Sequence, residues 1–254
     1  MRWRAVAVAA AFVVAGCSGF TAADRPETVT PAPVPAEPTG PAAVPGLTND
    51  SVASADTLAR AHRRALYQRS YTLTLQWTVG ARDGRTRLAV ESERRYHYRS
   101  EQRGGGYSDR TFVDGAVRYD RYRRPLGMKF VRGQSVPAHD RFGHVTGRLV
   151  RSFLPAGPAA VESHPDGYEL VVRRAPDGFE RVDRYVVRAV VAPSGLVRSF
   201  VVSYRNTERN ATADHRFRYT DLGTTTVERP AWVRERWPDE TRRGTATTTP
   251  YDSG

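Results

Sequence analysis

Residues 71–79 read YTLTLQWTV, a run in which large apolar side chains alternate with threonine and glutamine at every position. Successive side chains of a β-strand point to opposite faces of a sheet, so this period of two predicts a half-buried strand. Its inner face would carry Tyr71, Leu73, Leu75, Trp77 and Val79. The segment therefore predicts a domain that is built on a β-sheet.

Two helices are predicted, one on each side of the first group of strands. Apolar residues from Leu58 to Leu66 recur at helical spacing, and Ser54 or Asp56 can cap the first turn. A second amphipathic helix is predicted from about residue 140 to 154. Its apolar residues are spaced by three, four and four: Phe142, Val145, Leu149 and Phe153.

Most of the remaining sequence is typical of hairpins. After a turn at residues 81–84, four apolar residues predict one face of a long strand or of a broken pair: Leu88, Val90, Tyr96 and Tyr98. Glycine-containing turns are predicted at 104–106, 114–115, 177–178 and 193–195. Further strands are predicted at 168–172, 179–191, 196–204, 216–219 and near 225–233.

These elements predict an α+β, mainly β fold: a large curved antiparallel sheet, or half-open barrel, with the N-terminal and central helices on its concave face. The order of elements over residues 51–235 resembles the LolA, LolB and LppX-like lipoprotein-carrier superfamily. That resemblance implies a cavity for acyl chains beneath the helices. The residues predicted to line it are Leu73, Leu75, Trp77, Tyr96, Tyr98, Phe142, Val145 and Leu149. The same residues could instead form a filled core.

The N-terminus has the pattern of an export signal. A short basic start is followed by an apolar run at residues 5–14 and then by Ala15, Gly16 and Cys17. Ten apolar residues are too few to cross a hydrocarbon core of about 30 Å. Residues 14–17 resemble the lipobox of prokaryotic lipoproteins, which implies cleavage after residue 16 and lipid on Cys17. The chain is therefore predicted to be anchored to the cell membrane by this lipid and to face the exterior.

The chain divides by composition into four parts. The signal peptide covers residues 1–16, and residues 17–46 hold the lipidated cysteine and a proline-rich stalk that cannot bury a core. Residues 47–238 are predicted to form a single β-rich domain. Residues 239–254 are predicted to be a disordered tail. Cys17 is the only cysteine, so no disulfide can form within one chain.

Local sequence also resembles a family of uncharacterised haloarchaeal lipoproteins. The resemblance is carried by residues 27–35, ETVTPAPVP, by 45–58, by Ala61 and His62, and by 66–72. It implies an archaeal, membrane-anchored and outward-facing protein.

The net charge is +12, and 38 of the 39 basic residues are arginine. Two arginine groups are interleaved with tyrosines: Arg94, Arg95, Arg99 and Arg103, then Arg118, Arg121, Arg123 and Arg124. The pattern suggests an anionic surface partner, although a solvated sheet face is the simpler interpretation. Nucleic acid is not expected as a partner, because the chain is predicted to be exported.

No catalytic motif is found, so the chain is predicted not to be an enzyme and to use no cofactor. His139, Asp140 and His144 could suggest a metal site, but a five-residue offset puts the two histidines on different helix faces. Two sequons predict glycosylation at Asn49 and Asn210. Three functions remain open: a lipid or hydrophobic-ligand carrier, a surface interaction or envelope-structure protein, and an enzyme with a non-sequential site.

Overall fold

The computed structural model describes residues 40–103 and 107–238. The predictions for Cys17, the signal peptide, most of the stalk, the loop at 104–106 and the tail from 239 lie outside the described residues.

Within these described ranges, three α-helices follow a short 3₁₀ turn at Gly40–Ala43: α1 is Ala55–Leu66, α2 is Ala138–Phe153 and α3 is Ala231–Arg236. The hydroxyl of Ser54 accepts a hydrogen bond from the Thr57 backbone N–H at 3.1 Å. Ser54 is therefore the N-cap of α1, one of the two caps that the sequence predicted.

The described residues also form thirteen strands. They are β1 Ser51–Val52, β2 Tyr71–Val79, β3 Arg82–Ser92, β4 Arg95–Gln102, β5 Ser108–Asp114, β6 Val117–Arg124, β7 Gly127–Gln134, β8 Gly157–Pro158, β9 Ala160–His164, β10 Gly167–Val172, β11 Val182–Val191, β12 Val197–Asn206 and β13 Ala211–Thr220. Strand β2 has the bounds that its alternation predicts.

Eleven of the strands form one antiparallel sheet in the order β7-β6-β5-β4-β3-β2-β13-β12-β11-β10-β9. Strands β2 to β7 form one meander and β9 to β13 form another, and the pairing of β2 with β13 joins them. Strands β1 and β8 form a separate pair. The sheet is not closed, so the predicted mainly β, half-open architecture is confirmed.

Helices α1 and α2 cover one face of this sheet, which we call the helix face. Leu58 of α1 and Val150 of α2 are fully buried, in one core with Leu88 and Tyr96 from the first meander and Phe200 from the second. Both helices therefore pack on a core that spans the two meanders.

The opposite face, which we call the outer face, is partly covered by the C-terminal segment 225–237. Val227, Trp232 and Val233 of this segment bury against Phe112 and Tyr119 of the sheet. The segment is thereby held on the outer face by a second, smaller apolar core.

The prediction of a strand near residues 225–233 is wrong. The segment is irregular up to Pro230, and then α3 begins, since a proline lacks the N–H that a strand neighbour would need and suits a helix start. The backbone N–H of Val227 donates to the Glu91 carboxylate at 2.8 Å, not to a neighbouring strand. The alternation of apolar residues in this segment arises because its apolar side chains pack on the outer face of the sheet.

Other predicted bounds need smaller corrections. Strand β11 begins at Val182 and not at Phe179, because Phe179 lies in a turn and donates its N–H to the Pro176 carbonyl at 3.2 Å. Strand β13 begins at Ala211, five residues before the predicted start. The residues predicted to form a long strand or a broken pair lie in the β3–β4 hairpin. The turn predicted at 81–84 is shorter, because β3 begins at Arg82 and pairs with β2 from that residue on.

The packed domain begins before the predicted boundary at residue 47. Val44 is 1% exposed and belongs to the main core. Gly46 has φ +88°, and a Cβ there would lie 2.4 Å from the Ser54 carbonyl oxygen. Because the chain approaches the start of α1 so closely, the end of the predicted stalk is part of the domain.

Candidate anion-binding site

The residues predicted to line a lipid cavity are packed against one another or against the core. Tyr96 is 0% exposed, Leu73 is 3% exposed and Phe142 is 9% exposed. The ring of Tyr98 stacks on Phe142 with centroids 5.0 Å apart, and the Tyr96 ring meets the Phe142 ring edge-on at 5.6 Å. The space between α2 and the sheet is thus occupied by aromatic rings at this point.

The other predicted lining residues lie nearer the margins. Leu75 and Leu149 are partly buried against the main core, and Val145 is half-buried. The ring of Trp77 covers Gly84 of the neighbouring strand, where a Cβ would lie 2.5 Å from the indole nitrogen. Trp77 borders a shallow cavity of about 200 Å³ at the end of β2.

Arginines line up on the outer face of the first meander. Arg87, Arg99, Arg110 and Arg121 occupy directly opposite positions on β3, β4, β5 and β6. Residues directly opposite on neighbouring strands point to the same face, so the four guanidinium groups form one row across the sheet. We call these four residues the arginine row.

More arginines flank the row. By the same register, Arg218 of β13 continues the row beyond Thr74 of β2, and the adjacent row carries Arg216, Arg85 and Arg123 with Glu101 between the last two. We call the eight residues the arginine face: Arg85, Arg87, Arg99, Arg110, Arg121, Arg123, Arg216 and Arg218.

The arginine row has little internal compensation. Arg110 lies 3.9 Å from the Glu101 carboxylate. Among the described residues, Arg87, Arg99 and Arg121 have no ion pair within 4 Å. Like charges directly opposite on neighbouring strands are destabilising by up to about 1 kcal/mol per pair. The row therefore lowers the stability of the sheet unless an anion is bound to it.

The C-terminal segment turns part of the row into a recess of about 470 Å³. His97, Arg99, Arg110 and Arg121 line the sheet side. Residues 226–235 line the other side, and they contribute two more arginines and two glutamates: Arg229, Arg234, Glu228 and Glu235. The described lining of the recess therefore holds five arginines and two glutamates.

Burial perturbs two groups in this recess. Burial, together with the charges of Arg99 and Arg110, lowers the pKa of His97 to about 4, so the imidazole is neutral at pH 7. Burial and then the neighbouring charges of Arg110 and Arg99 lower the pKa of Arg121, while Glu235 acts in the opposite direction. In the described part of the chain, His97 Nε2 and Arg110 Nε are buried without a hydrogen-bond partner.

A second basic groove, of about 590 Å³, lies on the solvent side of α1 and α2. It is lined by Arg60, Arg63, Arg148 and Arg151, and Arg151 lies 3.9 Å from the Asp56 carboxylate. These side chains are exposed, and none has a buried nitrogen without a partner in the described residues. The recess beside the arginine row is therefore the better candidate site.

The sequence identified only some of these arginines. Arg99, Arg121 and Arg123 lie on the arginine face, as the tyrosine-interleaved groups suggested. Arg118 lies on the helix face and pairs with the buried Asp120 at 2.7 Å. Arg95 is held by Glu91 at 3.1 Å and Asp114 at 2.8 Å, and Arg124 by Asp109 at 2.7 Å. Arg87 and Arg110 were missed, because only the pairing register of β3, β4 and β5 places them in line with Arg99.

The histidines considered as metal ligands are held by other groups. His139 Nδ1 lies 2.5 Å from the Glu93 carboxylate, and His139 Nε2 lies 3.0 Å from Asp140. His144 is exposed at the helix groove. The described residues contain no group of three or more histidine, cysteine or acidic side chains that could hold a metal ion.

Both sequon asparagines are accessible. Asn210 has φ +45° in the turn between β12 and β13, and Arg205 donates to its side-chain oxygen at 2.6 Å. Asn49 is exposed just before β1. Glycosylation of either residue stays a prediction. In the part of the chain that the structure describes, no helix combines the length and hydropathy needed to cross a membrane.

Comparison with models of known protein families found no match to the chain, and comparison with curated proteins found no similar sequence. The resemblances to carrier proteins and to haloarchaeal lipoproteins therefore stay predictions. The arginine face and its recess are the features of the chain from which a function can be inferred.

Proposed function

We propose that the chain is an extracytoplasmic lipoprotein, held to the cell membrane by lipid on Cys17, that binds an acidic glycan of the cell surface at its arginine face. It has a binding role and no catalytic one. The observation that carries the proposal is the arginine row, four directly opposite arginines on neighbouring strands with one weak carboxylate partner among the described residues.

A linear polyanion suits this geometry better than a flat surface does. Neighbouring strands are about 4.8 Å apart, so the row presents cations at short, regular intervals along one line. The segment 225–237 stands above the sheet beside this line and makes the surface concave. A chain of anionic sugars can enter such a recess, whereas a membrane plane would meet the segment first.

A lipid ligand between the helices and the sheet is the alternative proposal. It would require the packed rings of Tyr96, Tyr98 and Phe142 to separate. The arginine face needs no such rearrangement to receive a ligand, so it has the stronger support.

If Cys17 carries the lipid anchor, replacing it should change both the mass of the protein and its location. Lipid attachment requires the thiol of Cys17, so Cys17→Ser should leave the precursor uncut and without lipid. Two acyl or isoprenoid chains hold a protein on a membrane durably. The variant without lipid should therefore be lost from the membrane fraction. Intact mass and membrane fractionation measure the outcome. Ser18→Ala next to it is the matched control, and an unchanged mass for Cys17→Ser would refute the anchor.

Polyanion binding is tested with dextran sulfate, and neutral dextran is the uncharged control. The full-length protein, purified in a nonionic detergent, should bind dextran sulfate and lose affinity as salt rises, because salt screens exposed charges. Replacing Arg85, Arg87 and Arg218 together by glutamine should weaken binding about 10-fold, as three exposed charge contacts contribute about 1–3 kcal/mol together.

The matched control removes the same charge from the helices: Arg60, Arg63 and Arg148 are replaced together by glutamine. We expect less than about a twofold change for this variant. Equal weakening by the two variants would mean that net charge alone drives binding. Binding to phosphatidylglycerol vesicles without binding to dextran sulfate would contradict the glycan proposal in favour of a membrane surface.

A further inference from the structure

The recess beside the arginine row has features that a general charge attraction does not require. It is bounded on both sides, by the sheet and by the C-terminal segment, and the arginines on the sheet side belong to three neighbouring strands. Arg99 and Arg110 are directly opposite each other, and so are Arg110 and Arg121. Three guanidinium groups are thus directed to one small volume.

We propose that this recess binds a single doubly charged tetrahedral oxyanion, a phosphate monoester group, for which inorganic phosphate and the sulfate ion are probes. The inference rests on the proposed function for the source of the group, which would be a phosphate monoester on the bound glycan, since a sulfate ester carries only one charge. The recess itself is a site for the group alone, so it can be tested without the glycan.

The charge of the recess favours a dianion over a carboxylate. Arg99, Arg110 and Arg121 bring three positive charges to its sheet side, and neither Glu228 nor Glu235 has an ion pair within 4 Å in the described residues. A singly charged carboxylate would leave most of the repulsion in place. Guanidinium groups present a planar fork that binds phosphate or sulfate oxygens in a bidentate manner, which a cluster of lysines could not do.

His97 adds a neutral donor to these cations. Burial, and after it the charges of Arg99 and Arg110, lower the pKa of the imidazole and keep it uncharged, so one ring nitrogen carries a proton and can donate to an oxyanion. Nε2 of this ring has no hydrogen-bond partner in the described part of the chain. The His97 ring packs edge-on against the Phe112 ring, and the two ring centroids are 6.4 Å apart. A buried polar atom without a partner costs stability, so it is a place where a bound oxygen would be favourable.

The C-terminal segment holds the recess in shape. The guanidinium of Arg121 lies over the Trp232 ring, 5.9 Å from its centroid. Trp232 is 6% exposed and is part of the small outer core. Because Arg121 is held over this ring, its charge stays at the recess and need not be ordered when the anion binds.

The test measures the binding of inorganic phosphate, sulfate and acetate to the full-length protein by isothermal titration calorimetry. Phosphate and sulfate should bind with one site per chain, and acetate should bind at least about 10-fold more weakly, because it offers one charge and two oxygens. Arg99→Gln should weaken phosphate binding about 10- to 100-fold, as expected for the loss of a charge-assisted, bidentate contact.

The matched control is Arg87→Gln. Arg87 belongs to the same row and faces Arg99 directly, yet it does not line the recess. It should change phosphate affinity less than about threefold. Arg121→Gln is the second variant at the site, and it should resemble Arg99→Gln. Equal weakening by Arg87→Gln and Arg99→Gln, equal affinity for acetate and phosphate, or no phosphate binding would each overturn the proposal.

Thermal unfolding without ligand provides a second readout. Arg99→Gln removes a like charge from the middle of the row, so it should raise the melting temperature of the ligand-free protein while abolishing the stabilisation by phosphate. A lower melting temperature for Arg99→Gln would mean that the arginine serves the fold, against the proposal. Dextran sulfate binding without phosphate binding would overturn the recess alone, and phosphate binding without dextran sulfate binding would overturn the glycan function alone.

Discussion

Phe217→Ala should lower the free energy of unfolding by about 3–5 kcal/mol, the usual cost of removing a buried phenylalanine ring. Phe217 is 2% exposed and lies on the helix face of β13, opposite Phe200 of β12 and Leu75 of β2. The Phe217 and Phe200 rings are nearly parallel, with centroids 5.4 Å apart, and stacking adds to the loss. The substitution therefore opens a cavity where the two meanders meet.

Urea unfolding at pH 7 measures this effect, and Val201→Ala on the same sheet is the control. Val201 lies on the outer face of β12 and is 37% exposed. We expect it to cost less than about 1 kcal/mol. A loss for Phe217→Ala as small as that for Val201→Ala would contradict the packing described at this point.

Acid should destabilise the protein through His62, which is fully buried between α1 and the sheet. The Val197 backbone N–H donates to Nδ1 at 3.2 Å, so Nε2 carries the proton and donates to the Thr146 hydroxyl at 3.0 Å. That hydroxyl also lies 2.9 Å from the Tyr219 hydroxyl. A second proton on His62 would sit on Nδ1 and face the Val197 N–H, so two donors would meet at a fully buried position.

The expected pH dependence follows from the pKa of this imidazole. Burial lowers the pKa of His62 from 6.5 to about 3, so the unfolded chain binds a proton at a pH where the folded protein does not. The stability is complete above pH 6.5 and is lost progressively as the pH falls from 6.5 to about 3. Each pH unit in this range costs about 1.4 kcal/mol, or about 2 kcal/mol between pH 7 and pH 5.

A comparison with His62→Gln isolates this contribution, because glutamine does not titrate. The variant should be less stable at pH 7, where it disturbs the buried hydrogen bonds, and the gap to the unsubstituted protein should narrow by about 2 kcal/mol at pH 5. His97 titrates in both proteins and cancels in the comparison. His144→Gln, at an exposed position of α2, is the control and should leave the gap near zero at both pH values. A gap that does not change with pH would show that His62 is not the acid-sensitive group.

Local patterns in the sequence were sufficient for the elements that are defined by local interactions. Strand β2 could be predicted to the residue because its two faces have opposite character. The start of α1 was predicted to within two residues, because Ser54 and Asp56 were both possible caps and the hydrogen bond from Thr57 identifies Ser54. Strand β7 was not predicted, because most of its side chains are exposed on both faces and its sequence has no sustained apolar alternation.

The packing of α2 shows what a count of apolar residues misses. The predicted apolar face included Val145 and Leu149, but Thr146 and Val150 are more deeply buried. Gly147 lies on the same buried side, where a Cβ would be 3.4 Å from the Arg63 side chain of α1. Glycine permits a close approach of two helices, and a pattern of apolar residues does not reveal such a contact.

The candidate site was only partly predictable for a related reason. The interleaved groups drew attention to Arg99 and Arg121, but the row depends on which residues of four strands are opposite one another. That register is set by the hairpin turns and the buried face together, and no single segment contains it. The role of residues 225–237 was also hidden, because their apolar alternation matched a strand while the partner surface lay far away in sequence.

The pairing of β2 with β13 has a consequence for how the chain folds. Every other neighbour in the large sheet is a hairpin partner, but Leu75 and Phe217 are more than half of the chain's length apart. Contacts of such high contact order form late, because the loop between them must close first. Until β13 arrives, YTLTLQWTV is the bare edge of an incomplete sheet, with an apolar face and no charged residue to prevent pairing with another chain. The segment most suited to forming a strand is therefore also the segment at which a partly folded molecule is most prone to aggregate.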